Sequence, residues 1–272
     1  MLSVQLFFAV SATALAAGPA AQSKNPTLQS SSVLVLDASH SAVLYSKRAD
    51  VAMPIASITK LMTALVVLEA NLPLEEVIEV TRDDSSLAKM ASSRLAIGTR
   101  LTRGELLRLA LMSSENRAAH ALCRTYPGGV PTCVTMMNAK ARELGMNSAH
   151  FIEPTGLSYQ NVANANDLAK LVNAAAADPM IREFSTGRDY RVHVGRQSVA
   201  FRTTNSLVAN PAWNIVVQKT GYISEAGRCL VMQAVIEGRT VVIVLLNSIG
   251  KHTRVADASR VRKWMQASLK PL

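Results

Sequence analysis

At 272 residues, with 49% hydrophobic and 18% charged side chains, the chain can bury a sizeable core, which excludes a disordered or low-complexity protein. A formal net charge of +10 favours polyanionic partners, yet only 4% of residues are aromatic and no basic run is interleaved with aromatics, so nucleic acid is not expected as a partner. The five histidines and three cysteines show no metal-ligand spacing, neither His-Glu-x-x-His nor Cys-x-x-Cys, and no metal or organic cofactor is expected.

Residues 1–21 contain an apolar, alanine-rich run from Leu2 to Ala17, followed by Gly18, Pro19 and small residues that offer cleavage sites. This is the pattern of a secretory signal, although no Lys or Arg precedes the run. No window reaches the roughly 20 apolar residues of a membrane-spanning helix, so at most peripheral membrane contact is expected. A polar linker follows over 22–31, and a single folded unit is expected over 32–268. Val33–Leu36 and Ala42–Tyr45 read as a hairpin. After Pro54, the segment from Ser57 to Ala70 is apolar on every side, with Leu61, Met62, Leu65, Val66 and Leu68. Such a helix must be buried, and its first turn then opens from the interior toward a cleft.

Helix formers interrupted by Gly128-Gly129, Gly145 and Pro154-Thr155-Gly156 predict a helical lobe over about 71–178, with an irregular connection around 150–166. In an oxidising compartment, Cys123 and Cys133 are expected to close a short loop, whereas Cys229, beside Leu230-Val231-Met232, is expected as a buried free thiol. Beyond Asp178-Pro179 the texture turns to strand: Asn214–Gln218, Cys229–Ile236 and Thr240–Leu246, the last two joined at Glu237-Gly238-Arg239. A closing amphipathic helix over about 255–267 places Ala258, Val261, Trp264 and Met265 on one face. The order of elements implies one sheet built from both ends of the chain, with the helical lobe inserted.

Ser57-Ile58-Thr59-Lys60 puts a hydroxyl and an amine one helical turn apart on the same face. A serine is a weak nucleophile until a base takes its proton, and a lysine kept neutral can do so. Further on come Ser114-Glu115-Asn116 and, at the end of a predicted strand, Lys219-Thr220-Gly221. Singly these patterns are common: Ser86-Leu87-Ala88-Lys89 repeats the first and Ser23-Lys24-Asn25 the second. Ser57 alone could be a helix cap, Asn116 a turn residue and Lys219 a solvated strand end. All three in one order, each on a suitable element, carry the signal.

This trio resembles the active-site set of penicillin-binding proteins and serine β-lactamases. Residues 54–62, 112–119 and 219–227 are most similar to the low-molecular-weight D-alanyl-D-alanine carboxypeptidase and endopeptidase group, and the short stretch after the closing helix favours the endopeptidase type. The resemblance implies an α+β (α/β) fold of the β-lactamase/transpeptidase kind, an antiparallel sheet with helices on both faces. It implies a periplasmic hydrolase acting on peptidoglycan stem peptides and cross-links, with β-lactam antibiotics as covalent inhibitors. Ser57 would be the nucleophile, Lys60 its base, made neutral by burial and by the like charge of Lys219, and Ser114 a proton relay. Asn116 would hold Lys60 and the substrate amide. Lys219, Thr220 and Arg254 would face the substrate carboxylate, Gly221 would leave the strand edge open, and the N–H groups of Ser57 and Tyr222 would form the oxyanion hole. The alternatives are a β-lactamase, whose deacylating Glu-x-x-Leu-Asn is not matched by Glu153-Pro154-Thr155-Gly156-Leu157, and a non-catalytic wall-binding module.

Overall fold

The computed structural model describes residues 25–39, 41–85, 93–194 and 197–268. The expected signal over 1–21 and the Ser86–Lys89 repeat of the Ser-x-x-Lys pattern lie outside the described residues. In chain order the elements are β1 (Ser32–Asp37), β2 (Ala42–Lys47), β3 (Met53–Pro54), α1 (Thr59–Glu69), β4 (Val77–Glu79), β5 (Arg100–Thr102), α2 (Arg103–Met112), α3 (Asn116–Arg124) and α4 (Gly129–Glu143). There follow β6 (Val162–Ala163), α5 (Ala165–Ala177), α6 (Pro179–Thr186), β7 (Asp189–Val194), β8 (Gln197–Arg202), β9 (Asn214–Ile223), β10 (Gly227–Ile236), β11 (Arg239–Ser248) and α7 (Thr253–Ser268).

The main sheet is antiparallel and ordered β2-β1-β11-β10-β9, so strands from both ends of the chain meet where β1 pairs with β11. Alternation along β11 assigns its two faces. Val241, Ile243 and Leu245 pack with Ala258, Val261 and Met265 of α7, while Val242, Val244 and Leu246 join the core shared with α1 and α5. Helices thus cover both faces, as expected. The β10–β11 connection is a two-residue turn, with Ile236 opposite Arg239 and both Glu237 (φ 49°) and Gly238 (φ 76°) left-handed, which matches the twist of the strands it joins.

Two boundaries differ from expectation. The helical lobe runs on to Thr186, because Asp178 caps α6 by accepting from the Met180 and Ile181 N–H groups, with Pro179 in the first turn. An Asp-Pro pair is as much a helix start as a turn, so the texture does not become β at that point. Strand β9 also continues through Lys219-Thr220-Gly221 to Ile223, since Gly221, Tyr222 and Ile223 keep antiparallel partners in Cys229, Arg228 and Gly227. The polar stretch hides this from an apolar-run reading.

Cys123, at the end of α3, and Cys133, in α4, form a disulfide with their Cα atoms 5.5 Å apart, within the ordinary range for such bridges. Cys229 is a buried free thiol, as expected. Alkylation of the native protein without reductant is expected to modify none of the three cysteines. Replacing Cys123 and Cys133 with serine is expected to cost about 3 kcal/mol for a loop this short, read as a lower melting temperature. Labelling of both positions in the untreated protein would refute the bridge.

Candidate active site

Ser57 sits in a single 3₁₀ turn, Ala56–Ile58, that leads directly into α1. It is not a cap: neither helix start has a side-chain cap, and the Ser57 Oγ instead accepts from the Lys60 Nζ at 2.9 Å. The turn is strained, with the non-glycine Ala56 at φ 48°. Such a backbone persists only where its surroundings over-determine it.

Those surroundings are the irregular connection around 150–166, whose role the sequence does not reveal. It docks on the turn through the Met53–Ala163 pairing and through the Ile55 N–H, which donates to the Asn161 carbonyl at 3.1 Å. Gly156 (φ 79°) lies so close to the turn that a Cβ there would come 2.0 Å from the Ala56 oxygen. Glu153 holds the connection in shape. Its buried carboxylate accepts from the Thr155 N–H and hydroxyl (2.6 Å each), the Gly156 N–H (2.6 Å) and the Asn161 amide (3.0 Å). The connection in turn presents the Thr155 carbonyl to Lys60 Nζ at 2.5 Å. Glu153, Thr155, Gly156 and Asn161 were not candidates from sequence. The one available signal was Pro154-Thr155-Gly156 as a turn, and nothing local tied it to Ser57. With its oxygens taken by loop donors, Glu153 is no counterpart of a β-lactamase deacylating glutamate.

The α2–α3 junction supplies the opposite wall. Ser114 adopts φ 62°, a second strained non-glycine residue beside the cleft. Asn116 opens α3 and accepts from Lys60 Nζ at 2.7 Å rather than satisfying a turn. Lys219 on β9 is fully buried, not a solvated strand end, and donates to the Ser114 Oγ at 2.8 Å and to the Thr220 carbonyl at 2.8 Å. The cleft therefore holds two amine–hydroxyl pairs, Lys60–Ser57 and Lys219–Ser114. The Thr220 and Thr204 hydroxyls share a hydrogen bond of 2.5 Å. Gly221 is needed for close approach: a Cβ there would sit 2.8 Å from the Ile55 oxygen and 3.2 Å from the Ser57 nitrogen. Arg254, from the first turn of α7, donates to the Gly221 carbonyl at 2.8 Å and the Cys229 carbonyl at 3.2 Å. Tyr222 remains half-exposed beside it.

β9 is an edge strand of the sheet. Its first half is covered by α6, where Gln218 bonds to Ser185. From Lys219 onward the strand lines the cleft.

Burial lowers the Lys60 amine from its ordinary 10.5 to about 8, against the opposing pull of Glu153 and Glu115. This corrects the expected cause in one respect. The repulsion between the two lysines bears on Lys219, whose amine is pushed down by its own burial, then by Lys60 and Arg254. Burial likewise raises the carboxyl of Glu115, the middle residue of Ser114-Glu115-Asn116, with the Ser93 hydroxyl and Lys60 opposing.

The antiparallel sheet with helices on both faces is that of the transpeptidase fold. The structure is similar to the DD-transpeptidase of Streptomyces K15 (TM-score 0.83, 27% identity, covering 90% of this chain and 99% of that one). It is equally similar to the D-alanyl-D-alanine carboxypeptidase of Mycobacterium tuberculosis H37Rv (TM-score 0.83, 28% identity, covering 92% and 96%). Residues 19–250 match the family described as D-alanyl-D-alanine carboxypeptidase, and the chain belongs to that family of hydrolases. Among its relatives it is 45% identical to the D-alanyl-D-alanine endopeptidase of Pseudomonas aeruginosa over 97% of this chain and 87% of that protein. It is 44% identical to the D-alanyl-D-alanine endopeptidase of Escherichia coli over 91% and 80%.

Proposed function

We propose that this chain is a periplasmic D-alanyl-D-alanine endopeptidase that opens peptidoglycan cross-links through an acyl-enzyme on Ser57. The observation that carries this reading is the 2.9 Å contact between Ser57 and a buried lysine whose amine is shifted to about 8. Such an amine is neutral in part of the population at neutral pH and so can accept a proton. Export is supported by the apolar run before residue 18 and by the Cys123–Cys133 bridge, which suits an oxidising compartment. Among the described residues no helix is long and apolar enough to cross a membrane.

The Ser57 hydroxyl bonds to the D-alanyl carbonyl carbon while its proton passes to Lys60. The C–N bond then breaks, and the leaving amine takes a proton through Ser114. Water attacks the ester, releases the D-alanyl acid and restores Ser57. Asn116 keeps Lys60 aimed and takes the substrate amide. The peptide lies along the open part of β9 as an added strand, with Lys219, Thr220 and Arg254 facing its carboxylate. The N–H groups of Ser57 and Tyr222 receive the developing oxyanion.

Purified protein is expected to cleave cross-linked muropeptide dimers and to bind labelled penicillin one-to-one, and Ser57→Ala is expected to abolish both. Dimers left intact by a protein that still binds penicillin would overturn the endopeptidase reading. Equal labelling of Ser57→Ala would overturn the nucleophile.

A further inference from the structure

The β9–β10 pair carries, one residue beyond Gly221, a cation that the mechanism above does not use. Arg228 opposes Tyr222 in the antiparallel register of β9 and β10, one rung beyond the Gly221–Cys229 pair whose carbonyls hold Arg254. Its guanidinium stacks over the Tyr222 ring, 4.4 Å from the centroid. Stacking fixes a guanidinium in place while leaving its N–H edge free to bond. Among the described residues neither Arg228 nor Arg254 has a carboxylate partner, although Glu225 lies in the turn between β9 and β10. The two cations are close enough that Arg228, after burial, helps depress Arg254. Like charges held together without a counter-ion cost stability, so the arrangement suits a ligand that supplies more than one negative charge.

We infer that Arg228, seated on Tyr222, is a specificity-determining residue that binds a second carboxylate on the leaving peptide, beyond the carboxylate that adjoins the scissile amide. Arg254 and Lys219 serve the nearer group and Arg228 the farther one. A leaving D-alanine has one carboxylate, which Arg254 and Lys219 take, and offers Arg228 no second one. A leaving stem peptide, released from a cross-link, has others further along its length. Arg228 thereby favours cross-linked dimers over pentapeptide monomers. The inference rests on the endopeptidase reading and deepens it.

The test compares the parent protein with Arg228→Gln and Arg228→Lys on three probes. These are labelled penicillin, a tetrapeptide–tetrapeptide dimer, and the same dimer with the farther carboxylates of the leaving strand converted to amides. Penicillin uptake is expected to be equal in all three proteins, which also shows that the variants are folded. On the free-acid dimer Arg228→Gln is expected to raise KM roughly fivefold with little change in kcat, as for a partly exposed ion pair, and added salt is expected to shrink the difference. Arg228→Lys is expected to recover part of the loss. On the amidated dimer the parent and Arg228→Gln are expected to behave alike. Equal losses on both dimers, or none on either, would overturn the role of Arg228. A parent protein that cleaves neither dimer would instead overturn the endopeptidase reading.

Discussion

Replacing Lys60 with methionine is expected to reduce both penicillin acylation and dimer cleavage by a factor of about 10⁴, the upper end of what a positioned general base supplies. Methionine fills similar space but cannot accept the Ser57 proton. In the parent protein the same group is expected to set the pH dependence. Protonated Lys60 is inert as a base, and its amine titrates at about 8. The second-order acylation rate is therefore expected to climb about tenfold per pH unit below that value and to level off above it. A stopped-flow profile that stays flat from about pH 6 upward would remove Lys60 from the base role. Stability carries the linked signature. The amine titrates at 10.5 when unfolded and at about 8 when folded, so between those values the unfolded chain binds more protons and stability rises with pH. Below about pH 8 the full cost of burying the charge is present, about 3 kcal/mol. It is relieved across that window, and the relief should be absent from Lys60→Met.

Glu153→Ala is expected to be the most damaging change away from the proposed nucleophile and base. It leaves the Thr155 and Gly156 N–H groups without their carboxylate acceptor in a buried loop, while the Asn161 amide keeps the Thr59 hydroxyl and the residue 153 carbonyl. Buried donors left unpaired cost about 1–3 kcal/mol each. A total near 3 kcal/mol corresponds to roughly 6–12 °C in melting temperature for a chain of this size. Activity should fall further than stability alone explains. The loop holds the Thr155 carbonyl on Lys60 and lies against the Ala56 carbonyl, so its collapse disturbs both the amine and the turn that bears Ser57. Residual penicillin acylation measured well below the melting temperature separates the two effects. A variant that is destabilised yet acylates at the parent rate would show that Glu153 serves folding alone.

Much of the architecture was legible without coordinates because burial writes itself into side-chain type. The all-round apolar character of Leu61 to Leu68 requires a buried helix, and Lys60 sits in its first turn with no exposure. The unbroken apolar run from Val241 to Leu246 is that of a strand covered on both faces. Ser57, Lys60, Ser114, Asn116 and Lys219 could be singled out because their spacing suits particular chemistry, and the fold brings all five into one cleft. The α6 helix and the full length of β9 were less readable. Asp-Pro begins turns and helices alike, and Gln218-Lys219-Thr220-Gly221 has too few apolar residues to announce a strand.

Hydrophobic pattern and helical spacing are properties of neighbours along the chain, so the order of residues was enough to mark the buried segments and the side chains suited to acyl transfer. How Ser57 is held, which neighbour adds to burial in depressing Lys219, and where Arg228 points follow from packing instead. Those depend on contacts between residues far apart in the chain: Glu153 and Gly156 on the turn that bears Ser57, Lys60 beside Lys219, and Tyr222 beneath a guanidinium from the next strand. No local pattern encodes a distance across a cleft, since it is fixed by how the sheet and the helical lobe pack.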